Sequence, residues 1–200
     1  MTLKIETIGE ERQPVIVLDN AVSGAADLVG IAAAERFSAT APYYPGVRAP
    51  APKDYAQSLA FGLQPLIGDV FGLDAASLSV TACDFSLVTT PPARLAAIQR
   101  LPHYDGVDPN VLAVLHYLCD ESHGGTDFYR HRATGFETIS EPRYAPYKKR
   151  LEVEISENGE PAQDYLGNST AQFQMTAGFS CAFNRILIYR GTMLHSGNIP

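Results

Sequence analysis

The run from Val111 to Leu118, Val-Leu-Ala-Val-Leu-His-Tyr-Leu, restricts most tightly what this chain can fold into. It is almost continuously apolar, bounded by Pro109-Asn110 before it and Cys119-Asp120-Glu121-Ser122 after it. An apolar run of that length between turn formers reads as a buried strand. Others follow the same pattern. Pro14 to Leu18 ends at Asp19-Asn20, Ile186 to Tyr189 is turned by Gly191, and good alternation begins near Leu78. Gly124-Gly125 opens a further strand, with Phe128 two residues after Thr126 and β-branched and aromatic content continuing through Phe136 and Ile139. The strand runs therefore concentrate in the C-terminal half.

Helical spacing appears only in the N-terminal part. Ala25 to Phe37 is rich in alanine, with Leu28, Ile31 and Ala32 on one face. Tyr55, Leu59, Leu63, Leu66, Val70 and Phe71 recur at helical intervals, predicting a helix over Lys53 to Phe71 with Pro52 near its start. Between the two, Ala41 to Pro52 is punctuated by Pro and Gly and is expected to form a long loop. Glu141 to Gly167 reads as a polar, proline-containing insertion between strands. It is either a lid carrying Tyr144, Tyr147 and Tyr165 or a surface excursion. Tyr43 to Arg48 is a second candidate rim, with packing of its aromatics onto a core as the alternative.

Composition sets limits on partners. At 200 residues, with 46% apolar content, the chain suits one domain with a substantial core. Its net charge is −7, and its one dense basic run is Lys148-Lys149-Arg150, so nucleic acid is not an expected partner. Cys83, Cys119 and Cys181 are too scattered for a disulfide framework and are expected as free thiols in a reducing compartment. The N-terminus lacks a signal layout, and no apolar stretch approaches the ~18 residues of a bilayer span. A cytoplasmic protein that does not enter the membrane is the expectation.

The residues that carry chemistry are His103-Tyr104-Asp105 and, far away, His195 in Leu194-His195-Ser196-Gly197. On an extended segment His103 and Asp105 project from one face. A second imidazole from a distant strand completes two His and one carboxylate on one side of an octahedral ion, leaving its other positions open. That arrangement suits chemistry rather than structural support. The other histidines point elsewhere. His116 alternates with Tyr117 and is expected to be structural, and His123 is expected in solvent. His131 shares a face with Tyr129 and is expected to contact either substrate or the outer sheet surface. A metal site built from His123 and His131 without Asp105 is a further alternative.

The text Pro-His-Tyr-Asp at 102 to 105, Leu-His-Tyr-Leu at 115 to 118, Gly-Gly-Thr-Asp-Phe at 124 to 128 and Asn184 to Tyr189 followed by Leu194-His195-Ser196 resembles a known family. This is the Fe(II)- and 2-oxoglutarate-dependent dioxygenases, in their prolyl-hydroxylase-like branch. The resemblance covers about Ser77 onward. It implies a mainly β chain with flanking helices (α+β), a double-stranded β-helix of jelly-roll or cupin-like type. Residues 1–200 would form one domain, with a helical support region over 1–76 and the β-helix core over 77–200, lacking its last strand.

By that resemblance His103, Asp105 and His195 hold Fe(II). Tyr117 hydrogen-bonds the cosubstrate 2-oxoglutarate, with Thr126 and Arg190 assigned beside it, while Tyr129, His131 and Arg48 are assigned to substrate. The reaction implied consumes O2 and 2-oxoglutarate, releases succinate and CO2, and hydroxylates a small-molecule or peptidyl substrate. An intact Asp105 argues for hydroxylation over halogenation. The family's Arg or Lys, nine or ten residues past the distal histidine, has no counterpart before Pro200, so a sequence ending short of a closing strand is expected; Arg190, Arg185 and Arg130 are the other cations available. Two further classes remain, a cupin-like oxygenase without 2-oxoglutarate and a non-catalytic β-barrel binding module.

Overall fold

The computed structural model describes residues 1–39 and 43–200. The chain divides into two compact units, Met1–Ala25 with Pro91–Pro200, and Ala26–Thr90. The architecture is mixed α+β, with three antiparallel sheets and three α-helices among the described residues.

In the first unit, β1 (Thr2–Ile8), β2 (Gln13–Asp19), β5 (Leu112–Tyr117) and β8 (Arg185–Arg190) form an antiparallel sheet in the order β1-β2-β8-β5. Strands β6 (Gly125–His131), β7 (Phe173–Ser180) and β9 (His195–Asn198) form a second, in the order β7-β6-β9. Ile8, Val15, Val17, Leu187 and Tyr189 of the first sheet meet Phe128 and Phe179 of the second, with Met193, in one apolar cluster. Contact between two inner faces is what pairs them into layers. The opposite face of β6 carries a second cluster, in which Tyr129, Phe173, Ile139 and Leu194 pack with Tyr147.

Tyr147 belongs to α3 (Glu141–Asn158), which occupies most of the segment expected to be a polar insertion. Pro142 sits in the first turn, where its missing N–H is no loss, and Pro146 costs one hydrogen bond that burial of Tyr147 offsets. Strand β5 is a correction of another kind. The run at 111–118 does form a strand, but β5 lies at a sheet edge and is only half-buried. The strands of this sheet buried on both faces are its central pair, β2 with Val15, Ile16, Val17 and Leu18 and β8 with Ile186, Leu187, Ile188 and Tyr189. The first residues are not a helical support region either, because β1 and β2 pair into the sheet of β8 and β5.

The second unit holds most of α1 (Ala25–Ala34), together with α2 (Lys53–Phe71), β3 (Gly46–Pro50) and β4 (Asp84–Val88). Helix α2 covers the predicted span and ends at Gly72, whose φ of 66° lets its N–H cap the Gly68 carbonyl. Within the expected loop at 41–52, β3 pairs with β4, Pro50 closing the strand where a missing donor is tolerated. Ala41 and Pro42 of that loop lie outside the described residues. The cysteines are free thiols, Cys181 buried and the other two half-buried. No helix among the described residues is long and apolar enough to cross a membrane.

Candidate metal centre

Strand β9 begins at His195, paired to Phe128 of β6 on one side and to His103 on the other. His103 and His195 each donate a backbone N–H to the other's carbonyl, both at 2.8 Å. Residues that exchange both bonds stand directly opposite, with side chains on one face. The two imidazoles therefore lie side by side, their centroids 4.2 Å apart and their planes at 51°. Asp105 is fixed separately, its N–H donating to the Gly191 carbonyl at 2.7 Å.

The carboxylate of Asp105 offers a different oxygen to each histidine. Its Oδ1 lies 4.0 Å from His103 Nε2, and its Oδ2 lies 3.8 Å from His195 Nε2. One ligand atom from each of the three residues falls within 4.8 Å of the others. Metal bonds of about 2.1 Å place neighbouring ligands about 3 Å apart, so modest side-chain rotation spans the difference.

The protonation of His195 suits a ligand. Its Nδ1 lies 2.8 Å from the Met193 carbonyl, which can only accept, so Nδ1 carries the hydrogen and Nε2 keeps its lone pair. Burial holds the pKa down at about 4, against the opposing pull of that carbonyl, and the ring is neutral near pH 7. His195 is buried whereas His103 and Asp105 are exposed, so the group opens to solvent on one side. The residues present fit a divalent first-row metal.

Inward from the triad, the Tyr189 ring stands 4.9 Å from the His195 ring at 69° and 4.9 Å from the Phe128 ring at 90°. Beyond them the Tyr117 hydroxyl and Thr126 Oγ1 are hydrogen-bonded at 2.6 Å. Thr126 shares a face of β6 with Phe128 two residues away, about 7 Å along the strand. Burial raises the Tyr117 phenol well above its ordinary range, the Thr126 bond opposing, so it remains a hydrogen-bond donor.

The cations proposed for a distant carboxylate are engaged elsewhere. Arg190 projects from the face of β8 opposite Tyr189 and donates to the Pro109 carbonyl. Arg185 forks onto Asp19 at 2.6 and 3.1 Å, and Arg130 pairs with Glu10. Arg185 does lie directly across from Tyr117 in the β5–β8 register.

Tyr129 and His131 are placed away from the triad, on the opposite face of β6, and both are fully buried. His131 Nε2 lies 2.8 Å from Glu154 Oε2 and its Nδ1 lies 2.9 Å from Thr134 Oγ1, which ties β6 to α3. Its ring also packs against Tyr147 and Phe173. Arg48 lies on β3 of the other unit, with its guanidinium 4.2 Å over the Tyr44 ring. His116 is half-buried with Nε2 3.0 Å from Asn184 Oδ1, and His123 is exposed beside Asp120. No group joining His123 to His131 occurs among the described residues.

Three contributors were not singled out in the sequence. Tyr189 alternates with Leu187 on one strand and Gly191 opens the turn after it, a signal present in the sequence; the Met193 carbonyl leaves none, because any residue supplies a carbonyl. Compared with known proteins, the chain matches along residues 1–200 the model of the family DUF6445, described as a family of unknown function. No curated protein and no solved structure matches it.

Proposed function

This chain belongs to the DUF6445 family, and on the geometry of its His-Asp-His group we propose that it is an Fe(II)- and 2-oxoglutarate-dependent oxygenase that hydroxylates a small-molecule or peptidyl substrate. The observation that carries this is the convergence of His103, Asp105 and His195 within 4.8 Å from distant parts of the chain. Two imidazoles and one carboxylate are the donor set suited to ferrous iron with open positions. The fold reading that accompanies it is a double-stranded β-helix, supported by two antiparallel sheets facing each other across one apolar layer. The resemblance noted at residues 102–105, 115–118, 124–128 and 184–196 points the same way.

Iron bound here supplies activation of O2, coupled to oxidative decarboxylation of the keto acid to succinate and CO2. The protein's own residues bind, orient and exclude water. His195 is held in one tautomer by the Met193 carbonyl, as metal-ligating histidines are by their outer partners. Tyr117 and Thr126 present a hydroxyl pair about 7 Å along β6 from the position facing His195. That spacing suits the far carboxylate of a five-carbon dicarboxylate. Phe128 and Tyr189 form the apolar wall between the two ends.

The engagement of Arg130 with Glu10 and of Arg185 with Asp19 favours a second reading, a cupin-like oxygenase that dispenses with 2-oxoglutarate. Anaerobic addition of Fe(II) and then 2-oxoglutarate tests the first reading. A weak visible charge-transfer band, absent in His103→Ala, is the expected result. Iron binding without that band, and without succinate on aeration, sinks 2-oxoglutarate dependence and leaves the cupin-like reading. Failure to bind a divalent metal at all removes both.

A further inference from the structure

The end of β8 meets two members of the triad from below. Tyr189 is the penultimate residue of β8, and Gly191 opens the turn that follows the strand. The Tyr189 ring packs edge-on against the His195 ring at 4.9 Å, and the Gly191 carbonyl accepts the N–H of Asp105 at 2.7 Å. Gly191 is buried, and its φ is outside the left-handed region, so the backbone conformation does not call for glycine. What calls for it is room. A Cβ at this position would lie 3.2 Å from the Asp105 Cβ, 3.4 Å from Val111 Cγ1 and 3.5 Å from Asp105 Oδ2.

We propose that Tyr189 and Gly191 are positioning residues for the metal: Gly191 provides the seat that fixes the Asp105 carboxylate, and the Tyr189 ring fixes the orientation of His195. This rests on the reading of the triad as a metal centre and adds the residues that set its geometry. A methyl group at 191 meets the ligand residue itself at 3.2 Å, so Asp105 must give way by a few tenths of an ångström. Such outer contacts commonly change metal affinity by 10- to 100-fold. The Tyr189 contact with His195 is made by the ring, so a ring is needed there.

Anaerobic titration with Co(II), followed by its visible spectrum, separates these roles from general stability. Gly191→Ala is expected to bind Co(II) about tenfold more weakly with an altered spectrum, and Gly191→Ala with Val111→Ala to recover affinity by giving the new methyl space. Tyr189→Phe, which keeps the ring against His195, is expected to bind Co(II) more tightly than Tyr189→Leu. Thermal melts identify any variant that fails to fold, and the Tyr189 pair tests the proposal independently of Gly191→Ala. Wild-type affinity and spectrum in both Gly191→Ala and Tyr189→Leu overturn the proposal and leave the oxygenase reading standing. A wild-type chain that takes up no Co(II) overturns both.

Discussion

His103 and His195, ninety-two positions apart in the sequence, exchange both backbone hydrogen bonds at 2.8 Å and so hold their imidazoles 4.2 Å from each other. The second histidine is enclosed by Tyr189 and Phe128, whereas the first faces solvent. The two ligands therefore differ in what each contributes to folding.

Replacing either histidine should abolish stoichiometric metal uptake, but only one replacement should weaken the fold. His103→Ala removes an exposed ring and is expected to leave the urea midpoint of the metal-free protein nearly unchanged. His195→Ala removes a buried ring and leaves the Met193 carbonyl unpaired, an expected loss of about 2–4 kcal/mol. Metal analysis and urea titration of both variants check this, and equal destabilisation by the two would contradict it.

Acid should weaken the metal-free protein through His195. Its folded pKa of about 4 lies below the ordinary value of 6.5, so between those values the unfolded state binds more protons. The stability it secures is complete above about pH 6.5 and is lost as pH falls toward 4, a change of about 3 kcal/mol. His116, also lowered by burial, acts in the same direction. Unfolding free energies at pH 7.5 and 5 in wild type and His195→Gln isolate the first contribution, which should appear as a shallower slope in the variant.

Tyr117→Phe and Thr126→Val should each leave metal affinity intact while weakening 2-oxoglutarate binding by roughly five- to tenfold, the worth of one hydrogen bond. Because the two hydroxyls are bonded to each other at 2.6 Å, the double variant should lose less than the sum of the single losses. Keto-acid titration of the ferrous protein gives the comparison. Additive losses would mean that the hydroxyls act independently.

His131→Leu should act on the fold and not on the metal. The substitution leaves Glu154 buried beside Arg150, at 3.2 Å, and breaking a buried pair of this kind costs about 3–5 kcal/mol. The expected outcome is a lowered urea midpoint with unchanged metal affinity, both measured on one preparation. A loss of metal affinity would return His131 to the site.

Much of this was legible in the chain because strand and helix periods are local. The spans of α2 and β2, the strand at 186–189 and the Gly-Gly start of β6 followed from residue type and spacing alone. So did the candidate ligands, since His-x-Asp places both side chains on one face of any extended segment. The pattern misled where context overrode composition. Two prolines concealed α3, which burial of Tyr147 and the Glu154–His131 contact help to sustain, and an apolar run at 111–118 gave no sign that its strand would lie at an edge. His131 and Tyr117 both looked available for a pocket. The face on which α3 packs assigned them to different layers.

Residue identity by itself determined which side chains could bind a metal and which segments would be extended, because ligand chemistry and backbone period belong to the residue and its near neighbours. Only the tertiary structure decided that His195 would stand opposite His103, that Gly191 would lie under Asp105, and that Arg185 and Arg130 would already be engaged by Asp19 and Glu10. Those relationships depend on strand register between distant segments, which follows from burying two sheet faces against each other rather than from any local pattern.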